Sequence, residues 1–344
     1  MIGQPDKILV VRFSSIGDIV LTTPLLRVLR RALPQARIDY VTKDVFAPLL
    51  EHNPRISGIR RLRAPYGLSE LRQLTTELKE LRYDLLLDLH NNLRSLFLRR
   101  SLGIQAATYR KGVLRRTLYV HLKWRSLAPA PPVRRRYFDA VRGLGLEDDG
   151  GPPEIWLTPE ERALARSRAE QSGANLSRPV VGLALGAGKE TKRWPAEHFA
   201  ELAHSLRKEL GAEILLLGGP EDRTAAELVR DRLDGPMPDF VGRTSLRETA
   251  ALLALCDLVV TNDSGPMHLA HALNKRIVAV FGGTTPELGF APEGPHVRIV
   301  ERRDVRCRPC SHIGRDRCPR GHFKCMVEIR PEEVKQAVEE LLSK

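Results

Sequence analysis

"KILVVRFSSIGDIVLTTPLLRVLR", residues 7–30, is the stretch that decides the fold. Its first seven residues are β-branched and mostly apolar, which suits a buried parallel strand. From Asp18 to Leu33 the residues Ile19, Val20, Leu25, Leu26, Leu29 and Leu33 recur at helical spacing. A strand, a tight loop and a helix in that order usually bind a phosphate. This loop departs from the pattern. It holds one glycine, Gly17, and sets a carboxylate, Asp18, where an anion would sit.

Outward from this unit the alternation continues. "RIDYVT" (37–42) and "YDLLLDLH" (83–90) read as strands, and 68–82 as a helix with Leu68, Leu71, Leu74, Leu78 and Leu81 on one face. Residues 110–136 are strongly basic and close on a proline cluster, and 145–156 are rich in Gly, Pro and acid. A hinge is expected between there and 176–182. Beyond it, strands are expected at 179–186, 212–219, 257–263 and 276–283. Helices are expected at 195–211, between Pro195 and Gly211, and at 244–256, opened by a capping box of Ser245 and Glu248. Another starts at "GPMHLAHALN" (265–274), and an amphipathic one spans 331–344. The expected fold class is α/β, with a first domain over 1–160, a second over 176–330 and a terminal helix. Two such domains place a ligand cleft between the carboxyl ends of their sheets.

The bulk numbers narrow the function. At 344 residues, two domains are the better prior. Lys and Arg outnumber Asp and Glu by 55 to 42, a net charge of +13 that favours an acidic partner. Nucleic acid is disfavoured, because the charge is spread over both halves and no helix-turn-helix, zinc finger or RNA motif appears. No apolar run approaches the roughly 20 residues of a membrane span. The N-terminus reads as a first strand and not as a signal peptide, and five cysteines do not suggest a secreted disulfide scaffold. A cytoplasmic protein is expected.

The common cofactor motifs fail. "GAG" at 186–188 lacks the third glycine of a dinucleotide fingerprint, and "GK" at 188–189 is followed by Glu190. A loop-by-loop constellation remains. In "GAGKETKRWP", small residues let backbone approach a phosphate, and Lys192 stands before a helix N-terminus, as a diphosphate ligand or as a surface lysine. In "GGPED" (218–222), Glu221 or Asp222 serves ribose hydroxyls or caps a helix. "TNDSGPMHLAHA" (261–272) is more specific. The Ser264 hydroxyl, Gly265 and the helix opened by Pro266 make an anion cradle, with His268 in the first turn. His268 and His271 have no carboxylate ligand beside them, which argues against a metal there.

"VVRFSSIGDIVLTTPLLRVLR", "KRWP" and "TNDSGPMHLAHALNKRIVAVFGGTTPE" together resemble glycosyltransferase family 9, the ADP-heptose:lipopolysaccharide heptosyltransferases. The resemblance covers nearly the whole chain, and the tail "CRPCSHIGRDRCPRGHFKCM" looks most like the heptosyltransferase II branch. It implies a GT-B fold, two Rossmann-like domains facing across a cleft, and an inverting transfer that needs no metal on the nucleotide sugar. By resemblance Asp18 is the catalytic carboxylate, Lys192 meets the diphosphate, and Thr244 lies in the adenine-side loop. Asp263, Ser264, Gly265, Pro266 and His268 form the nucleotide-sugar loop. Some family members carry hydroxyl residues where this chain has Ala187 and Gly188. An inverting displacement needs a group to take the acceptor hydroxyl's proton, and Asp18 at a helix start stays ionised for that task. Its other reading is an N-terminal cap.

On the acceptor side, Ser15 and Gly17 flank Asp18, and Asn92, Arg94 and Arg110 are candidates for acceptor phosphates or carboxylates. The segment 111–125 mixes cations with Leu, Tyr and Trp, as a membrane-surface helix does, or it is a solvated basic face. The implied partners are ADP-heptose, a lipid-linked lipopolysaccharide inner-core acceptor and the anionic inner-membrane surface, with the protein peripheral at its cytoplasmic face. Cys307, Cys310, Cys318 and Cys325 lie in a stretch with little apolar content. A structural zinc held by four thiolates, with His322 as a substitute ligand, would order it. Disulfides and buried free thiols are the rivals.

Overall fold

The computed structural model describes residues 5–128, 131–233, 235 and 237–343. Two compact units form, Met1–Lys111 with Pro131–Trp156, and Gly112–Ala130 with Leu157–Lys344. The middle of the basic segment expected inside the 1–160 domain, 112–130, therefore groups with the second unit, while its two ends stay with the first. The last passage between units is at Trp156–Leu157, just after the Gly/Pro-rich stretch. Part of the proline cluster (129–130) and the last residue of the terminal helix (344) lie outside the described residues.

The first unit holds five parallel strands: β1 (Lys7–Val11), β2 (Arg37–Lys43), β3 (Gly58–Leu62), β4 (Leu85–Asp88) and β5 (Gln105–Thr108). Their order is β3-β2-β1-β4-β5. The winding reverses between β1 and β4, which leaves a crevice at their carboxyl ends. Ile8, Leu9 and Val10 of β1 are buried, because a central parallel strand is covered on both faces. The single helix expected from Asp18 to Leu33 is two, Ile16–Val20 and Thr23–Ala32. Pro24 has no N–H to give the Val20 carbonyl, and the Thr23 hydroxyl donates to it instead, at 2.7 Å. Of the leucines expected on one face of 68–82, Leu71, Leu74 and Leu78 are buried, while Leu68 at the helix start is exposed.

The second unit is wound alike, from β6 (Val180–Ala184), β7 (Glu213–Leu217), β8 (Leu258–Asn262), β9 (Arg276–Phe281) and β10 (Val297–Glu301). The parallel order is β10-β9-β8-β6-β7, with the reversal between β6 and β8. Gly211 ends the helix Ala196–Leu210 in the left-handed region, at φ +61, as its type allows. Ser245 and Glu248 form the expected capping box. The terminal helix Pro331–Leu342 is no appendage. Val334, Val338 and Leu341 sit in the same core cluster as Leu206 and Ile214. No described helix is long and apolar enough to cross a membrane.

The centre of β6 leaves no room for a side chain. A Cβ on Gly182 would come within 2.8 Å of the buried Cys256 sulfur. Gly182→Ala is expected to lower unfolding stability by about 1–3 kcal/mol through overpacking. Adding Cys256→Ala should restore part of it, as read by denaturant titration of the four proteins of the cycle. Strictly additive losses would place the strain elsewhere.

Candidate active site

Asp18 stands in the loop after β1, at the third position of the helix Ile16–Val20. Its Oδ2 accepts from the Ser15 backbone N–H at 3.3 Å and the Ser15 hydroxyl at 3.0 Å. Its Oδ1 lies 2.5 Å from Arg12 Nη2 and accepts from the Tyr137 hydroxyl at 3.2 Å. Arg12 is itself fixed. It donates to the Ser14 and Leu89 carbonyls at 2.7 and 2.6 Å, and its guanidinium lies 5.7 Å from the centre of the Tyr137 ring. Burial pushes the Asp18 carboxyl up, but the Arg12 charge and the Ser15 hydrogen bonds outweigh it, and the net shift is downward. Asp18 is thus ionised and aimed. Its Ser15 edge is open, since Ser15 is exposed.

Arg12 and Tyr137 were not singled out from the sequence. A signal for Arg12 was present, because an arginine at the end of a buried apolar strand needs a carboxylate. Tyr137 had none, lying more than a hundred residues away, just past the basic stretch.

The loop after β4 supplies the opposite wall. His90 packs edge-on against Phe13, with ring centres 5.4 Å apart. Burial, then the Arg12 and Lys111 charges, push its imidazole down to about 3, so it is neutral at working pH. Its buried Nδ1 has no hydrogen-bond partner among the described residues. Asn92 caps the helix Leu93–Leu102, with its Oδ1 accepting from Ser95 N at 3.0 Å. Arg94 follows it, exposed in the first turn. Arg110 is exposed past β5, and its backbone N–H donates to Asp139 at 3.3 Å. Gly17 is buried within the Asp18 turn.

In the second unit the loops after β6 and β8 meet at the reversal. Asn262, at the end of β8, donates to the Leu185 carbonyl at 2.8 Å and accepts from Trp194 N at 3.0 Å. It therefore ties the "GAG" loop and the "KRWP" segment to β8. Lys192 Nζ lies 2.9 Å from Asp263 Oδ2, which also accepts from the Thr284 hydroxyl at 2.7 Å. Ser264 is the cap position of the helix Gly265–Ala272, with Pro266 in the first turn, and its hydroxyl makes no bond to that helix. The first-turn N–H groups and this hydroxyl are what an anion would meet. His268 is buried one turn in.

Glu221 and Asp222 differ in their surroundings. Asp222 is buried, accepts from Gly219 N at 2.8 Å and pairs with Arg193 at 2.9 Å. Glu221 is exposed. Gly186 is required here, since a Cβ would fall 2.0 Å from Asp222 Oδ2. Thr244 hydrogen-bonds Thr249 at 2.8 Å beside the capping box.

The cysteine-bearing loop buttresses these elements. Thr191 N donates to the Arg315 carbonyl at 3.0 Å, Cys310 N donates to the Gly283 carbonyl at 2.8 Å, and Gly314 packs on Lys192. Cys307, Cys310, Cys318 and Cys325 are free thiols, with Cys307 Sγ 3.7 Å from His322 Nε2. Among the described residues, no group of three or more His, Cys, Asp or Glu side chains is placed to hold a metal ion. The buried Arg308 side chain also ties the loop to its neighbours, donating to the Phe281 and Thr284 carbonyls at 3.0 and 2.9 Å.

Comparison with known proteins places the chain in a family and matches its fold. Residues 71–317 match the model of glycosyltransferase family 9 (heptosyltransferase). The chain is 29% identical to lipopolysaccharide heptosyltransferase 2 of Escherichia coli strain K12, with 98% of each chain covered. It is also 29% identical to lipooligosaccharide heptosyltransferase 2 of Haemophilus influenzae, over 98% of this chain and all of that one (100%). Its fold superposes on the structure of E. coli ADP-heptose LPS heptosyltransferase II with a TM-score of 0.75, at 26% identity and 98% coverage of both. A family 9 glycosyl transferase from Veillonella parvula gives a TM-score of 0.82 at 24% identity, covering 98% of this chain and 97% of that one. Matched over most of its length by the family model, the chain belongs to glycosyltransferase family 9, the heptosyltransferases.

Proposed function

We propose that this enzyme moves a heptosyl group from ADP-heptose to the inner core of a lipid-linked lipopolysaccharide acceptor, at the cytoplasmic face of the inner membrane. The observation that carries the mechanism is the Asp18 carboxylate, ionised and aimed by Arg12 in a loop that has no phosphate cradle of its own. The similarity to heptosyltransferase 2 proteins supports the donor and acceptor classes.

The reaction is a single displacement. The acceptor oxygen attacks the anomeric carbon as the bond to the diphosphate breaks, and Asp18 Oδ2 takes the acceptor proton in place of its Ser15 hydroxyl contact. The electron pair leaves with ADP. Lys192 and the N-terminus of Gly265–Ala272 stabilise that negative charge, and ADP entering the cradle competes with Asp263 for the Lys192 ammonium. Ser264 and His268 complete the donor loop, Thr244 lies at the adenine and Glu221 faces the ribose. Ser15, Gly17, Asn92, Arg94 and Arg110 belong to the acceptor side. A second reading keeps this chemistry with another donor, because Ala187 and Gly188 offer no hydroxyl to the nucleotide sugar.

Asp18→Asn should keep ADP binding and lose transfer by about 10²–10⁴-fold. An unchanged rate with a lowered melting temperature would reduce Asp18 to a cap.

Arg12 acts through Asp18 as a positioning residue, and pH separates it from a purely structural one. A carboxyl whose pKa is depressed in the folded protein stays ionised until pH falls below the ordinary carboxylate range. The acid limb of kcat/KM should lie there in the parent. In Arg12→Gln, the largest charge opposing burial is gone and only the Ser15 and Tyr137 hydrogen bonds remain, so the limb should move to higher pH. A limb that stays in place contradicts the assignment.

Lys192→Ala should weaken ADP binding by at least about tenfold in calorimetry, the loss expected when one charged contact to a diphosphate is removed. Parent-like affinity would show that the cradle lies elsewhere.

A further inference from the structure

The second unit carries a cationic bowl whose wall includes neither Asp263 nor Ser264. It is a cavity of about 850 Å³ whose wall includes Lys123, Arg306, Arg315, Arg320 and Lys324. Two carboxylates, Asp304 and Glu328, share that wall, and Glu328 faces Lys324 at 3.8 Å. Arg306 and Arg320 are exposed and have no partner carboxylate among the described residues. Five cations against two acids, with histidines 121 and 322 on the same wall, make a standing site for an anion.

The bowl adjoins an apolar stripe. Leu114, Leu118 and Leu122 fall at every fourth position of the helix Val113–Leu122, 74%, 38% and 43% exposed, and Trp124 follows at 62%. Tyr119, about a quarter-turn round from Leu118, is buried, its hydroxyl 2.9 Å from Thr285, which seats the helix on the unit. His121, on the stripe, and Lys123, at its end, both reach the wall of the bowl. Lys123 is anchored by the Val120 and Pro309 carbonyls. Single exposed leucines are ordinary, whereas a one-sided row of them beside a cluster of cations is not.

We propose that this face docks on an anionic phospholipid surface, with leucines 114, 118 and 122 among the acyl chains and a lipid phosphate in the bowl. Charge complementarity selects this occupant. A second copy would bring the same cations against themselves. Nucleic acid offers the leucine row no apolar counterpart. The inference gains its purpose from the reading of a lipid-linked acceptor, but its measurement needs no transfer activity.

The test is flotation of the full chain with vesicles of phosphatidylcholine alone and with added phosphatidylglycerol, at low and raised salt. The parent should bind only the anionic vesicles, less tightly as salt rises. Each cation near such a surface is worth about fivefold in binding, so Arg306→Gln with Arg320→Gln should bind roughly 25-fold more weakly. Leu118→Gln with Leu122→Gln should also release the protein. All four sites are at the surface, so unchanged melting temperatures are expected and confirm folding. Parent-like binding by the arginine variant, equal binding to neutral vesicles, or no binding by the parent overturns the proposal. So does arginine-dependent binding of inorganic phosphate in calorimetry without vesicle binding, which would make the bowl a soluble-anion site. A leucine-dependent dimer in sedimentation, without vesicle binding, would assign the stripe to a second copy.

Discussion

Where a parallel sheet reverses its winding, two strands end side by side and their chains leave in opposite directions. Carbonyls at that divergence lose ladder partners and need others, since buried polar groups left unpaired are costly. Each unit meets this need with one buried side chain. Arg12 ties the end of β1 to the Leu89 carbonyl after β4, and Asn262 ties the end of β8 to the Leu185 carbonyl after β6. The same two residues position the groups proposed to carry the chemistry. Arg12 turns its remaining guanidinium nitrogen to Asp18, and Asn262 holds Trp194 two residues from Lys192. Crevice and reactive groups therefore share one scaffold.

The electrostatics of the two crevices differ in kind. Asp18 sits against a fixed, buried cation, which keeps it ionised but makes it a weaker base than a free carboxylate. Its use then depends on geometry more than on basicity, and geometry is what Tyr137 and Ser15 supply. Lys192 faces a carboxylate that the Thr284 hydroxyl also holds. That pairing keeps a little-exposed ammonium compensated while no anion is present, and spares the site an unpaired charge.

Legibility followed burial. The strands recognisable in the sequence are those with continuous apolar runs, such as β1, β4, β8 and β9. Those that escaped, β3, β5 and β10, are all sheet edges. "GIRRL", "QAAT" and "VRIVE" are largely half-buried or exposed, so no apolar period marks them. Lys192, Asp263, Ser264 and His268 could be singled out because they crowd into two short loops at helix starts, where the proposed donor site lies. Tyr137 and Thr284 could not be, because their contacts depend on tertiary packing. The 112–130 part of the basic segment joined the second unit through Tyr119 and Lys123, whose partners Thr285 and Pro309 lie 166 and 186 residues on. Spacing within the segment carries no trace of them.

The most direct test of the account is transfer itself. Purified enzyme would be incubated with ADP-heptose and a heptose-terminated inner-core acceptor, with mass spectrometry for the product and NMR for its anomeric configuration. The account expects one heptosyl group added, ADP released in equal amount, and configuration inverted at the anomeric carbon. Retention of configuration, or transfer from another nucleotide sugar but none from ADP-heptose, would contradict it.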